Sequence, residues 1–174
     1  ATSRRPGNRR DTSMTFASRG GHLLQAACLI LTLVAWPPAA HAAADDDVAA
    51  ARESALAVMD AFLAAFNARD ESAWADTLLY PHVRIASGTV AVYPDKEAFL
   101  QNRDLNAFAE ETGWDYSTWD DLTIVHASPE KVHIAVRFTR YDRQGAEIAS
   151  YDSFYVVERI DGRWGVRARS SFAP

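Results

Sequence analysis

Five apolar residues, Leu56, Met59, Phe62, Leu63 and Phe66, recur at steps of three and four or close to it. That spacing lines one face of a helix, predicted over residues 48–68. Asp46 or Asp47 is placed to cap its start and to meet the positive end of its dipole. Asn67-Ala68-Arg69-Asp70 ends it, and Asp70 reads as the cap of a short second helix carrying Trp74 and Leu78, stopped before Pro81. Residues 82–87 read as a strand, Gly88 as a turn and 90–93 as a short returning strand. Pro94-Asp95 opens a third helix that runs to about Phe108, with Asp95 as its cap. From Trp114 the period becomes two. Four long strands are predicted over 114–127, 131–141, 146–160 and 163–172, joined by Ser128-Pro129-Glu130, Asp142-Arg143-Gln144-Gly145 and Asp161-Gly162.

Helices first and an antiparallel meander afterwards is an α+β layout. It predicts three N-terminal helices packed in a curved antiparallel sheet of about four to six strands, a cone-shaped barrel. Which side chains enter the cone depends on register, because a slip of one residue exchanges the two faces. With Asp142 facing Ala146 across a three-residue loop, Val132, Ile134, Val136 and Phe138 share the concave face with Ile148, Ser150, Asp152, Phe154 and Val156. A similar loop at Asp161-Gly162 adds Trp164, Val166, Ala168, Ser170 and Phe172. The convex face then carries Arg137, Tyr151, Tyr155, Arg167 and Arg169, an aromatic and basic surface suited to a homodimer around Tyr151, Tyr155, Arg137 and Arg167. Loops of two or four residues would instead send Tyr151, Arg137 or Arg169 inward.

The start of the chain reads differently. Met14 is placed as a start codon would be, with residues 1–13 an upstream extension. Residues 14–42 have the order of a signal peptide: Arg19, an apolar run of eleven residues from Ala26 to Trp36, Pro37-Pro38, then Ala40-His41-Ala42 as a cleavage pattern. The run is short of the roughly twenty residues that span a bilayer, so no membrane anchor is expected. Residues 43–47 read as an acidic tail and 48–174 as one domain, periplasmic or secreted. Of the net charge of −5, residues 1–42 carry +4 and residues 43–174 carry −9. An acidic domain of that kind repels nucleic-acid phosphates, and no nucleic-acid partner is expected. The single cysteine, Cys28, lies in the leader, so the domain offers no thiolate and no disulfide.

Asp152 is the sharpest candidate for chemistry in this register. A carboxyl group among Val136, Phe154 and Ala168 would lose hydration and resist ionisation, fitting it to act as a base or as a protonated donor. A structural acid paired with Arg84 or Arg169 is the alternative. His82, beside Tyr80 and Pro81, is a candidate proton shuttle or a loop-bonded histidine. Arg84 lies two residues on, on the same strand face, and would hold an anionic group or pair with Asp152. Trp74, Tyr80, Phe99, Tyr116, Phe154 and Trp164, with Trp114 and Trp119, would line a pocket for a small apolar ligand or simply fill the cone. The mature histidines His82, His126 and His133 lack metal-ligand spacing, and no nucleotide or nucleophile motif is present, so neither metal nor cofactor is expected.

The phrases AFLAAFNARDESAW, YPHVRIASG and YDSFYVVERIDGRWGVRARSSF, in this order, resemble the nuclear transport factor two superfamily over about residues 48–173, most of all its uncharacterised SnoaL-like members. The resemblance implies a cystatin-like cone. It leaves activity open among isomerases, dehydratases, cyclases, hydrolases and non-catalytic binders, because the fold hosts them all. Ketosteroid isomerases of this superfamily carry their base near the end of the first strand. That place falls around Ser87 here, and serine is no base.

Overall fold

The computed structural model describes residues 39–101 and 103–174. The extension and most of the leader, residues 1–38, lie outside the described residues. Helix α1 (Ala39–Asn67) begins earlier than its apolar stripe predicts. It runs straight through Asp45, Asp46 and Asp47, which are exposed helical residues rather than a tail or a cap. The expected cut after Ala42 falls within its first turns. From Ala51 onward the helix buries Ala51, Ala55, Met59 and Phe62 against the sheet, with Leu56 and Phe66 packed at the margin.

Asp70 caps α2 (Glu71–Asp76) by accepting from the Ala73 amide. Strands β1 (Leu78–Ala86) and β2 (Thr89–Tyr93) form a hairpin. The third predicted helix is two helices. α3 (Lys96–Leu100) is capped by Asp95 and α4 (Leu105–Thr112) by Asp104, each carboxylate accepting the amide three residues on. A second capping aspartate inside the apolar run is what restarts the helix, and the break between them presents Arg103. Strands β3 (Tyr116–Ser128), β4 (Lys131–Tyr141), β5 (Glu147–Ile160) and β6 (Arg163–Ser171) complete a curved, unclosed six-stranded sheet in the order β2-β1-β6-β5-β4-β3. All its pairings are antiparallel except β1 with β6, which is parallel. The α+β class and the cone are as the pattern predicts; the fourth helix and the parallel pair are not.

Two devices pin α1 across the sheet. The Asn67 side chain donates to the Ser117 carbonyl and accepts from the Ser117 amide, both at 2.9 Å, and Trp119 Nε1 donates to the Met59 carbonyl. The core between them holds Met59, Phe62, Trp74, Leu78, Phe99, Val132, Ile134, Tyr155, Val157 and Val166. Gly165 is required where β6 passes the start of β1: a Cβ there would stand 2.9 Å from Leu79 Cγ and 3.0 Å from the Thr77 oxygen.

The register differs from the sequence reading in one consequential way. Asp142 does face Ala146. Immediately afterwards, however, Tyr141 pairs with Glu147 and Arg140 with Ala149, so Ile148 is an extra residue in β5. This bulge shifts every later pair by one. Asp152 therefore stands opposite Arg137 on the convex face, and Tyr151, Ser153, Tyr155 and Val157 turn inward. The last hairpin repeats the effect. Asp161 and Gly162 form a two-residue turn, with φ of 52° and 79°, the backbone that tight hairpins favour. Arg167 is then an extra residue between the Val157–Val166 and Val156–Ala168 pairs. Beyond it Arg169 and Ser171, not Ala168, Ser170 and Phe172, share the face of Tyr155 and Ser153.

Candidate functional site

Four arginines converge where the concave side of the sheet opens between α1, α2 and the α3–α4 break. β1 supplies Arg84, the segment after α3 Arg103, β4 Arg140 and β6 Arg169. With Phe66, Trp74, Leu105, Phe108, Asp104 and Pro174 they line a cavity of about 300 Å³. Arg84 and Arg169 are direct partners in the parallel β1–β6 ladder. Like charges placed so are mutually destabilising. Among the described residues no carboxylate lies within ion-pair distance of any of the four. Asp104, the acid on the cavity wall, gives one oxygen to the α4 cap.

Aromatic faces hold the guanidinium groups in place. Arg103 lies 4.1 Å above the Phe99 ring and 5.1 Å from Tyr93, donates from Nε to the Phe99 carbonyl and from Nη2 to the Tyr93 hydroxyl. Arg140 lies 5.0 Å from Phe108 and 5.2 Å from Tyr151, and Arg169 lies 5.5 Å from Trp74 and 5.6 Å from Phe62. Such cation–π contacts stabilise a partly desolvated cation by about 0.5–2 kcal/mol each, yet they supply no hydrogen-bond acceptor. The Nε atoms of Arg140 and Arg169 are buried without a partner. Burial, with the charge of Arg169 adding to it, pushes Arg84, Arg103 and Arg140 below the ordinary guanidinium range, partly offset by the neighbouring Tyr93 and Tyr151 phenols. They remain cations, since guanidinium stays protonated in proteins.

The cavity adjoins the interior of the cone, with Phe66, Arg140 and Arg169 on the walls of both. The inner slot, lined by Phe62, Leu63, Trp119, Phe138 and Tyr155 together with Ser117, Arg140 and Arg169, retains about 30 Å³, room for a water or two. The aromatics pack edge to face there: Phe62 on Trp74 and Tyr155, and Trp119 on Phe138 and Tyr155. Side chains fill most of the cone, and the larger open volume lies at the four arginines.

The residues singled out in the sequence are scattered by this geometry. Arg84 and Trp74 line the cavity, and Phe99 forms the floor under Arg103. His82 is 1% exposed, between the rings of Tyr93 and Phe99. Its Nδ1 lies 3.1 Å from the Val166 carbonyl and donates to it as the neutral tautomer, leaving Nε2 as the lone pair. Burial, then the charge of Arg169, lowers its pKa to about 4. Tyr80 donates its hydroxyl to the Ala75 carbonyl, and burial with the charge of Asp76 lifts its pKa to about 12. Four positions lie elsewhere. Asp152 is exposed on the convex face, 3.2 Å from Arg137. Phe154 packs on His133 on that same face. Tyr116 stacks on Tyr141 at the end of β3. Trp164 lies at the opposite end of the cone, by Ala51 and Ser54. The bulge at Ile148 is the reason for the first two. The mixed aromatic and basic convex surface changes accordingly: Tyr155 is in the core, and the exposed convex residues include Ile85, Val90 and Val92.

The alternation did carry a signal for Arg140, which continues the Val132, Ile134, Val136, Phe138 series by parity. Arg103 was concealed in a helix expected to be continuous, and Arg169 behind the Arg167 bulge. Among the described residues no three potential metal ligands cluster, and no helix is long and apolar enough to cross a membrane.

Comparison with solved structures bears on the fold. A protein from Novosphingobium aromaticivorans described as NTF2-like with a cystatin-like fold superposes with a TM-score of 0.63 at 11% identity, over 78% of this chain and 89% of its own. A protein of unknown function with a cystatin-like fold from Nostoc punctiforme gives 0.58 at 14% identity, over 70% and 89%. A protein from Catenulispora acidiphila, solved in complex with S-DNPA, gives 0.57 at 20% identity, over 71% and 93%. No curated protein matches the sequence. The family described as NTF2-like protein (DUF6841) matches residues 52–171, a span that contains all four arginines and the whole sheet, and the chain belongs to that family.

Proposed function

We propose that this protein is an exported binding domain for a compact organic anion, held by Arg84, Arg103, Arg140 and Arg169 at the open end of the cone. The observation that carries this reading is the cluster of four cations with no acid at ion-pair distance among the described residues, in a domain that is otherwise acidic. Four guanidinium groups gathered in a half-buried cavity raise each other's free energy, and a ligand anion supplies the missing counter-charge. The filled interior favours a small ligand seated in the cavity over an apolar one buried in the cone. Binding is favoured over acid–base turnover because His82 is buried with its Nδ1 committed to the Val166 carbonyl, and Asp104 is engaged as a cap. That a protein of this fold was solved in complex with S-DNPA is consistent with ligand binding.

Calorimetric titration with benzoate, inorganic phosphate and neutral benzamide tests this. The anions are expected to bind and benzamide not, and Arg140→Met is expected to weaken anion binding tenfold or more. Benzamide binding as well as benzoate, or no binding by any anion, would overturn the proposal.

Export rests on the leader pattern. Secreted protein should begin at or near Ala43; an intact leader in the membrane fraction would refute it. The convex sheet face supports a homodimer, through apolar residues rather than the expected tyrosines: Ile85, Val90 and Val92 are 48%, 63% and 59% exposed beside Val83, Val156 and Ala168. Sedimentation at micromolar concentration should show a dimer that Ile85→Asp converts to monomer. A monomer before substitution would count against it.

A further inference from the structure

We infer that the ligand presents a doubly charged head, either one phosphoryl-type group or two adjacent carboxylates, to the Arg84–Arg169 pair and Arg140. This deepens the anion-binding reading and rests on it.

Charge and hydrogen-bond supply both point there. The cavity wall holds four guanidinium groups, the Asp104 carboxylate and the terminal residue Pro174. A single carboxylate ligand would leave an excess of positive charge in a half-buried space, which is costly at reduced dielectric. The donor count is more decisive. Arg103 spends two of its nitrogens on the Phe99 carbonyl and the Tyr93 hydroxyl. Among the described residues Arg84, Arg140 and Arg169 have no carboxylate or carbonyl acceptor, and the oxygens beside Arg140 and Arg169 are the phenols of Tyr151 and Tyr155. Each guanidinium carries about five N–H donors, whereas one carboxylate offers about four lone-pair sites. Three underused forks therefore exceed what a monocarboxylate can accept.

Their placement adds a geometric argument. Arg84 and Arg169 rise side by side from neighbouring strands, while Arg140 comes from β4, on the far side of β5. The two positions approach one head from two directions. Planar forks set in this way favour oxygens disposed around a centre, or two carboxylates side by side, over a single planar group. Phe66, Trp74, Leu105 and Phe108 supply the apolar part of the lining against which the ligand's body would rest.

The test compares benzoate with phenyl phosphate and phthalate by calorimetry on the full domain at matched ionic strength, because screening alters all such affinities. The two dianions are expected to bind at least tenfold more tightly than benzoate, and Arg84→Met is expected to bring them down to the benzoate level. Arg137→Met, on the convex face, should leave all three unchanged. If phenyl phosphate alone is preferred, the phosphoryl source is selected; if phthalate alone, the dicarboxylate. Benzoate binding as tightly as both dianions overturns this inference while anion binding stands. Failure of every anion overturns both.

Discussion

Arg169→Met raises the thermal midpoint of the ligand-free protein. The wild-type side chain stands directly beside Arg84 in the β1–β6 ladder, has no carboxylate within reach among the described residues, and buries an Nε that has no acceptor. Each of these costs stability: the like-charge neighbour by some tenths of a kcal/mol to about 1, the unsatisfied donor by about 1–3. Methionine keeps an unbranched stem against Phe62 and Trp74, the rings that Arg169 covers at 5.6 and 5.5 Å, and soft sulfur–aromatic contacts replace part of the cation–π term. Its loss also leaves the buried Tyr155 hydroxyl without its neighbouring guanidinium, which returns some of the gain. A net increase of about 1–2 kcal/mol is expected, a shift of several degrees for a domain of this size. The measurement is differential calorimetry in a chloride buffer free of oxyanions. Arg137→Met is the control: that arginine is exposed and paired with Asp152, and its loss should change stability by less than about 1 kcal/mol. A marked destabilisation by Arg169→Met would show that the arginines serve the fold. A gain in stability together with lost anion binding is the signature of a site kept for its ligand at the expense of the empty protein.

That trade explains what the sequence could and could not disclose. Helix α1 was legible because its inner face is a physical periodicity that packing enforces, from Met59 and Phe62 onward. The four long strands were legible for the same reason at period two. The faces of β5 and β6 were not. A bulge at Ile148 and another at Arg167 leave the turns intact and shift the register after them. Nothing in Glu147-Ile148-Ala149 or Val166-Arg167-Ala168 distinguishes a bulged residue from a paired one. One inserted residue therefore moved Asp152 from the interior to the surface and brought Tyr151 and Tyr155 inside. Arg140 follows the parity of its strand and was legible from β4 alone. Arg103 depends on Asp104 acting as a cap rather than as one more helical residue, a choice that local sequence leaves open. What gathers the site is thus two bulges and one helix break, each a local irregularity with a non-local consequence.

His82 should make the protein acid-sensitive between pH 6.5 and 4. The imidazole is 1% exposed, its Nδ1–H is committed to the Val166 carbonyl, and burial followed by the charge of Arg169 lowers its pKa from 6.5 to about 4. Above pH 6.5 the ring is neutral in both folded and unfolded chains and contributes no pH dependence. As the pH falls below 6.5 the unfolded chain takes up a proton that the folded one refuses, so stability declines by up to about 1.4 kcal/mol per pH unit. Near pH 4 the folded form protonates as well and the decline from this group ends, after a total loss of about 3 kcal/mol. Carboxylates contribute their own slope in the acid part of this range, so the informative quantity is the difference between wild type and His82→Gln. The amide of glutamine can still donate to the Val166 carbonyl but does not titrate. Urea unfolding at half-unit intervals should show a shallower stability–pH curve for the variant, by up to one proton, with the two curves converging toward acid. Parallel curves would mean that His82 is protonated as readily folded as unfolded. The Arg169→Met background extends the test, because removing the second cause of the depression should narrow the acid-sensitive window from its lower end. A bound anion should do the same by offsetting the charge that Arg169 imposes on the ring. His82 thereby reports on the occupancy of the arginine cavity from inside the core, and its titration followed by NMR with and without phenyl phosphate would register a ligand that never touches it.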